Sequence, residues 1–205
     1  MRLFGLTGGI GAGKSTVSAA LAERGAVIVD GDRTYAELTG PGGPVLGPLA
    51  ERFGPEVVAA DGSLNRPVLA AKVFGDREAL ADLNRITHPL IGARILEKLA
   101  ELGQTDSLVI LDVPLMTEST TLGSGRTPTL GLIVVDVPEE VAVERLVGQR
   151  GMTEADARAR IASQSTRAER NALADFLLDN SGNREQLLAE IDRLWAWLAA
   201  REGDT

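Results

Sequence analysis

The chain has 205 residues, 44% of them apolar and 24% charged, a length and balance that suit one globular domain or a core domain carrying an insertion. It has no cysteine, which excludes disulfides, thiolate metal sites and cysteine nucleophiles, and its single histidine, His88, is the only one available to a Ser-His-Asp relay. A net charge of −8 argues against nucleic acid or an anionic membrane as partner, since both need a basic field, and no apolar run reaches the length of a membrane span.

Strand-like residues begin almost at once, so no leader is expected and the cytoplasm is the expected compartment. Leu3-Phe4-Gly5-Leu6 reads as a buried strand and residues 15–24 as a helix with apolar Val17, Ala20 and Leu21. Between them Gly8-Gly9-Ile10-Gly11-Ala12-Gly13-Lys14-Ser15 spells G-x-x-x-x-G-K-[ST], in the strand–loop–helix setting that gives this motif its meaning. Glycines let successive N–H groups turn inward on an anion, and the helix N-terminus adds its positive end. Lys14 is then placed to reach the β- and γ-phosphates of a nucleoside triphosphate, and the Ser15 hydroxyl to coordinate Mg²⁺.

Residues 26–29 form a second, β-branched run leading into Asp30-Gly31-Asp32. Strand, helix, strand in so short a stretch is a parallel βαβ unit, with ligands expected at the carboxyl edge. In extended chain Asp30 and Asp32 face the same way, so both carboxylates point at the cleft, where one can accept the proton of an attacking hydroxyl. A turn or helix N-cap is the structural alternative, because Asp-Gly is a common turn pair.

From about residue 33 to 103 helical patterns dominate, at 45–53, 67–74, 77–86 and 90–102, divided by turns such as Gly40-Pro41-Gly42-Gly43. This reads as a helical insertion between the second and third strands. His88-Pro89 opens its last helix, and on local sequence His88 is a capping or surface group. Residues 108–111 form an apolar strand ending at Asp112, which is placed either to bind Mg²⁺, directly or through water, or to cap a turn. A long polar loop at 114–128 and a strand at 130–135 follow.

Helices are expected at 139–147 and 153–166, the second opened by Thr153 and Asp156. A short strand at 176–178 leads into Asp179-Asn180-Ser181-Gly182. The last helix puts Leu187, Leu188, Ile191, Leu194, Trp195 and Leu198 on one face, and both tryptophans read as core or rim packing. Arg145 and Arg150 flank a glycine-containing turn and are the candidates for a lid that stabilises charge on the transferring phosphoryl group. No N-K-x-D guanine signature exists in the chain.

The residues that single out a family are spread along the chain. They are residues 6–16 with their Thr7-Gly8-Gly9-Ile10-Gly11 opening, Val29-Asp30-Gly31-Asp32, Phe53-Gly54 and Asp61-Gly62-Ser63-Leu64-Asn65-Arg66. His88-Pro89, Pro114-Leu115 with Glu118, Gln164 with Thr166-Arg167, Ala174-Asp175, and Asn180 with Gly182 continue the series. Over nearly its whole length the sequence resembles the dephospho-coenzyme A kinase family.

The resemblance implies an α/β P-loop kinase, a three-layer sandwich on a parallel five-stranded sheet with a helical substrate-binding insertion and a lid. It implies a single kinase domain, with the core at about 1–32, 104–144 and 171–205, the insertion at 33–103 and the lid at 145–170. The implied reaction is ATP-dependent, Mg²⁺-assisted phosphorylation of the ribose 3′-hydroxyl of dephospho-coenzyme A. The alternatives are a P-loop kinase for a nucleoside monophosphate or small alcohol, and a nucleotide-dependent regulator without phosphoryl transfer.

Carried onto this chain, Asp32 matches the general base, and Gly9, Gly11, Ala12, Gly13, Lys14, Ser15 and Thr16 the ATP loop. Asn180 and Gly182 match the loop near adenine, Ser15 and Asp112 the metal side, and Arg66, His88 and Pro114 the acceptor side. Lys14 with Arg145 or Arg150 completes the catalytic set. The partner implied is the small-molecule substrate, without nucleic acid or membrane, and the oligomeric state is left open. The chain departs from the family at Gly31, where alanine is usual, at the less apolar Met116-Thr117, and in an Arg145-to-Arg150 spacing one residue longer than expected.

Overall fold

A computed structural model describes residues 1–112, 121–122, 125–126 and 129–201. The described residues fall into two compact units, one formed by those within 1–29, 102–120 and 126–205, the other by those within 30–101 and 121–125.

The first unit is built on a five-stranded sheet in the order β2-β3-β1-β6-β7. The strands are β1 (Arg2–Gly8), β2 (Val27–Asp30), β3 (Leu108–Asp112), β6 (Leu132–Asp136) and β7 (Phe176–Asp179). Two further strands, β4 (Thr121–Leu122) and β5 (Gly125–Arg126), pair with each other. β1 runs parallel to both neighbours, with Leu6 opposite Asp112 on β3 and Gly8 opposite Val135 on β6. β1 and β3 are apolar and buried almost throughout, the pattern of parallel strands covered on both faces.

Helices α1 (Lys14–Glu23), α6 (Glu139–Arg150), α7 (Glu154–Ala162), α8 (Arg167–Ala172) and α9 (Arg184–Ala199) belong to the same unit. Its core joins Phe4, Leu6, Ile110, Ile133 and Leu178 of the sheet to Val17 and Leu21 of α1 and to Ile191, Leu194 and Leu198 of α9. Trp197 rests on Phe4 and Phe176 at centroid distances of 5.5 and 5.2 Å, and Trp195 also packs on this core. Both tryptophans are therefore packing residues. Leu188, expected on the buried face of α9, is exposed instead.

The second unit has its own core of Leu38, Val45, Leu49, Phe53, Val57, Leu64, Leu69 and Ala79. It is made of α2 (Gly31–Leu38), α3 (Leu46–Phe53), a short 3₁₀ turn, α4 (Arg66–Val73) and the 26-residue α5 (Arg77–Leu102).

Four expectations need correction. The two helices expected on either side of His88-Pro89 are one, α5, with Pro89 inside it. A proline removes one helical hydrogen bond at a cost of about 3 kcal/mol, but buried residues on both sides, Ala79 and Thr87 before it, Ile95 and Leu99 after it, keep the helix continuous. His88 and Pro89 themselves are exposed.

The chain is also not extended through Asp30-Gly31-Asp32, because α2 begins at Gly31. The helix expected over 153–166 ends at Ala162, and α8 starts afresh after Thr166. Thr166 accepts from the Glu169 amide while the Glu169 carboxylate accepts from the Thr166 amide, a reciprocal cap that starts a new helix. Finally, Arg145 and Arg150 lie on one helix rather than about a turn; Gly148 is helical, and Gly151, at φ 63°, ends α6.

Asp30 is the N-cap of α2, its Oδ1 accepting from the amides of Asp32 and Arg33 at 2.8 and 3.2 Å. Asp30→Ala should destabilise the chain by roughly 0.5–2 kcal/mol, the usual cost of losing such a cap. Asp30→Asn, which keeps the acceptor, should stay close to wild type. Urea denaturation at neutral pH checks this, and equal midpoints for Asp30→Ala and wild type would dismiss the capping role.

Candidate active site

The phosphate-loop sequence is a tight turn between β1 and α1. Gly11 and Gly13 have φ of 79° and 87°, a region where side chains are strained. Gly13 is the N-cap of α1 and supplies no side-chain cap, so the first amides of the helix point outward as an anion site. A Cβ on residue 13 would fall 2.3 Å from Asn180 Nδ2, so glycine is also required for space.

Asn180, in the turn after β7, holds the loop from one flank. Its buried Nδ2 donates to the Ala12 carbonyl at 2.7 Å, and Arg145 Nη2 on α6 donates to the Asn180 carbonyl at 2.7 Å. Beside them opens a cavity of about 420 Å³, lined by Gly13, Ser15, Thr16, Arg145, Asn180 and Gly182 among others. That is a size and polarity suited to part of a nucleotide. Arg150 lines the same cavity but is exposed, whereas Arg145 is half-buried.

The first half of the loop is held by the stretch between α7 and α8. Gln164 Oε1 accepts from the Ile10 amide at 3.0 Å, and the Arg170 guanidinium lies against Gly9. Arg167 closes a two-pronged pair on Asp136, at the end of β6, with Nε and Nη2 donating at 2.8 and 2.6 Å. Those hydrogen bonds hold the Asp136 carboxyl below the usual carboxylate range, against the opposing effect of burial. Burial pushes the Arg170 guanidinium down from the ordinary arginine value, with Asp136 pulling the other way.

Lys14 forms an ion pair with the buried Asp112. The hydroxyl-bearing residues Ser15 and Thr16 are exposed at the start of α1. Among the described residues no group of three acids or histidines could enclose a metal ion. Mg²⁺ keeps several waters and takes only one or two protein oxygens beside substrate phosphates. A serine hydroxyl and one strand-end carboxylate are hard oxygen donors of that kind, so the residues present fit the ion.

The remaining candidates lie in the second unit. Asp32 is exposed in the first turn of α2, while Asp30 is engaged as its cap. The Arg66 guanidinium lies 5.2 Å above the Tyr35 ring, and Nη2 donates to Thr39 Oγ1 at 3.3 Å. His88 is exposed on α5, and Pro114 lies outside the described residues. The structure thus gathers Lys14, Ser15, Thr16, Arg145, Asn180 and Gly182 about the loop, with Asp112 paired to Lys14. Three residues beside the loop had been given no role. Asp136 carried the same signal as Asp112, an acid closing an apolar strand, whereas Gln164 and Arg170 carried no local signal for their contacts.

The family model that matches this sequence, over residues 2–186, is described as dephospho-CoA kinase. A protein of Streptomyces avermitilis named dephospho-CoA kinase is 50% identical over 202 residues, covering 98% of this chain and 96% of its own length. One of Mycolicibacterium paratuberculosis with the same name is 50% identical over 196 residues; this chain spans 47% of that longer relative. The crystal structure of TT1252 from Thermus thermophilus superposes with a TM-score of 0.77 at 32% identity, covering 98% of each chain.

The depressed Asp136 carboxyl has a pH signature. A group whose folded value lies below its unfolded value of about 3.9 adds stability above that pH and loses it as the pH falls through the folded value. The gap in thermal midpoint between wild type and Asp136→Asn should therefore be widest near neutrality and narrow below about pH 4. Thermal unfolding from acid to neutral pH measures it, and a gap constant across that range would remove the ion pair as its cause.

Proposed function

The chain belongs to the dephospho-CoA kinase family, and from that premise we propose that it transfers the γ-phosphoryl group of ATP to the ribose 3′-hydroxyl of dephospho-coenzyme A, giving coenzyme A and ADP. The observation that carries the reading is the phosphate loop, with uncapped helix amides and Lys14 at its mouth and a cavity of a size for part of a nucleotide against its second half. Among the described residues no helix is long and apolar enough to cross a membrane. We assign the reaction to the cytoplasm, where ATP is at hand.

The roles are those that the resemblance carries onto these residues. Gly9, Gly11, Ala12, Gly13, Lys14, Ser15 and Thr16 surround the phosphates, the loop amides not bonded within the protein turning to them, and Lys14 exchanges Asp112 for the β- and γ-phosphate oxygens. Asn180 and Gly182 border the base of the nucleotide. Ser15 and Asp112, the latter directly or through water, would hold Mg²⁺, which would supply neutralisation of phosphate charge. Asp32 accepts the proton of the 3′-hydroxyl as its oxygen attacks phosphorus in line. Asp30 takes no part in the proton transfer; by capping α2 it sets where Asp32 begins. Arg66 and His88 serve the acceptor, the first by its charge toward the pyrophosphate, and Pro114 joins them by resemblance. Arg145 stabilises charge on the phosphoryl group in flight.

Asp32→Asn should lower kcat by roughly 10²–10⁴, the range for a positioned base, with ATP affinity unchanged. Acceptors lacking the pantetheine and pyrophosphate should lose kcat/KM steeply, because remote binding energy aligns the hydroxyl. Steady-state kinetics with dephospho-coenzyme A, AMP and adenosine test both. Equal efficiency on AMP or adenosine would favour a nucleoside-monophosphate or small-alcohol kinase instead.

The two arginines of α6 should separate. Arg145→Ala removes the group bonded to the Asn180 carbonyl and should reduce kcat more than it raises KM, whereas the exposed Arg150 should tolerate alanine. The same assay decides, and a damaged Arg150→Ala beside a normal Arg145→Ala would reverse the assignment.

A further inference from the structure

The first half of the phosphate loop is touched by one short stretch of chain. Ile10 donates its amide to Gln164 Oε1 at 3.0 Å, so that N–H is directed away from the anion cradle. A Cβ on residue 9 would lie 2.8 Å from Arg170 Nη2 and 3.1 Å from Cζ, so the guanidinium sits directly over the Gly9 backbone. Gly9, unlike Gly11 and Gly13, has no positive φ. Backbone conformation would admit alanine there, but the guanidinium would have to shift to make room for it.

Arg170 is half-buried and forms no ion pair with any described residue; its Nη1 donates to the Ser165 carbonyl, next to Gln164 in the chain. Asp136, the nearby acid, is already taken by the two-pronged contact of Arg167, one helical turn earlier on α8. That contact ties α8 to the end of β6, and Val135, the preceding residue of β6, stands opposite Gly8 at the root of the loop. The reciprocal cap of Thr166 and Glu169 fixes the start of α8 between Gln164 and Arg170. The two residues therefore reach the loop from a support anchored to the same sheet.

We propose that Gln164 and Arg170 are positioning residues for phosphoryl transfer, clamping Gly9 and Ile10 so that the loop keeps the shape that receives the nucleotide phosphates. The proposal rests on reading residues 8–15 as the nucleotide loop. Glycine at position 9 then lets the guanidinium keep its place above the loop. Cradle amides fixed before the nucleotide arrives spare it the cost of ordering them and hold the γ-phosphate in line.

The experiment combines ADP binding by calorimetry with steady-state kinetics on Arg170→Ala, Arg170→Lys, Gly9→Ala, Gly9→Ala/Arg170→Ala and Gln164→Met. Arg170→Ala should weaken ADP binding and lower kcat/KM for ATP on the order of tenfold to a hundredfold, leaving KM for dephospho-coenzyme A unchanged. Arg170→Lys, which keeps the cation and the stem, should recover part of the loss. Gly9→Ala displaces the guanidinium and should behave like Arg170→Ala, and the double variant should be no worse than either, since both remove one contact. Gln164→Met, which keeps the volume and loses the acceptor, should weaken ADP binding as well.

Wild-type ADP affinity in Arg170→Ala, or losses that multiply in the double variant, would overturn the clamp. Should Arg170→Ala fail to fold, Gly9→Ala and Gln164→Met carry the same test, and unchanged ADP affinity in both overturns it. Wild-type protein that binds ADP yet leaves dephospho-coenzyme A untouched would sink the proposed reaction, while weakened ADP binding in the variants would still support the clamp.

Discussion

The turn from β1 into α1 ends on Gly13, which takes the N-cap position with φ 87° and brings no side-chain acceptor. The first amides of α1 and the Lys14 ammonium are thereby concentrated at one end of the central strand. Positive charge so gathered is unfavourable unless something anionic shares it, and that requirement orders the surroundings. Each strand beside β1 ends in a buried aspartate, Asp112 on β3 and Asp136 on β6. Each aspartate engages a basic residue borne by a helix, Lys14 of α1 and Arg167 of α8. A buried carboxylate deprived of its cation costs several kcal/mol, so the Asp136–Arg167 pair resists disruption. The paired cations differ in use: Lys14 can trade its partner for phosphate, whereas Arg167 is fixed by two bonds and anchors the clamp.

The loop is braced in both its halves. Asn180 bonds the Ala12 carbonyl beside the cavity, and Gln164 takes the Ile10 amide. A glycine-rich turn would otherwise sample many shapes, because glycine has the most backbone freedom to lose. Bracing confines it to one, with its remaining amides turned outward. Rigid support beneath a polar cradle is the arrangement that lets a site stabilise phosphate charge without reorganising during the reaction.

Features set by adjacent residues were legible in the sequence. The phosphate loop was, because its glycines, lysine and serine act through local backbone geometry. So were the apolar strands and the insertion of helices after β2. Asp30 and Asp32 show the limit: reading them as extended chain put both carboxylates on one face, but an aspartate before Gly-Asp also caps a helix, and the cap won. The break before α8 was readable too, since Thr166-Arg167-Ala168-Glu169 is a capping-box pattern, yet the apolar period of α7 masked it. Pro89 misled in the other direction, because the packing of α5 outweighs the local penalty of proline. The contacts of Gln164 and Arg170 had no local sign: Gln164 meets a loop residue 154 positions away, and only the folded sheet brings them together.

The proposed reaction carries phosphate from ATP to one acceptor hydroxyl. Its most direct test is the product formed from ATP and dephospho-coenzyme A, followed by phosphorus NMR alongside ADP release. The account predicts one new phosphomonoester, on the ribose 3′ oxygen, for each ADP formed, and no ADP beyond background without acceptor. ADP release at the same rate without acceptor, or phosphate on any other oxygen, would contradict it.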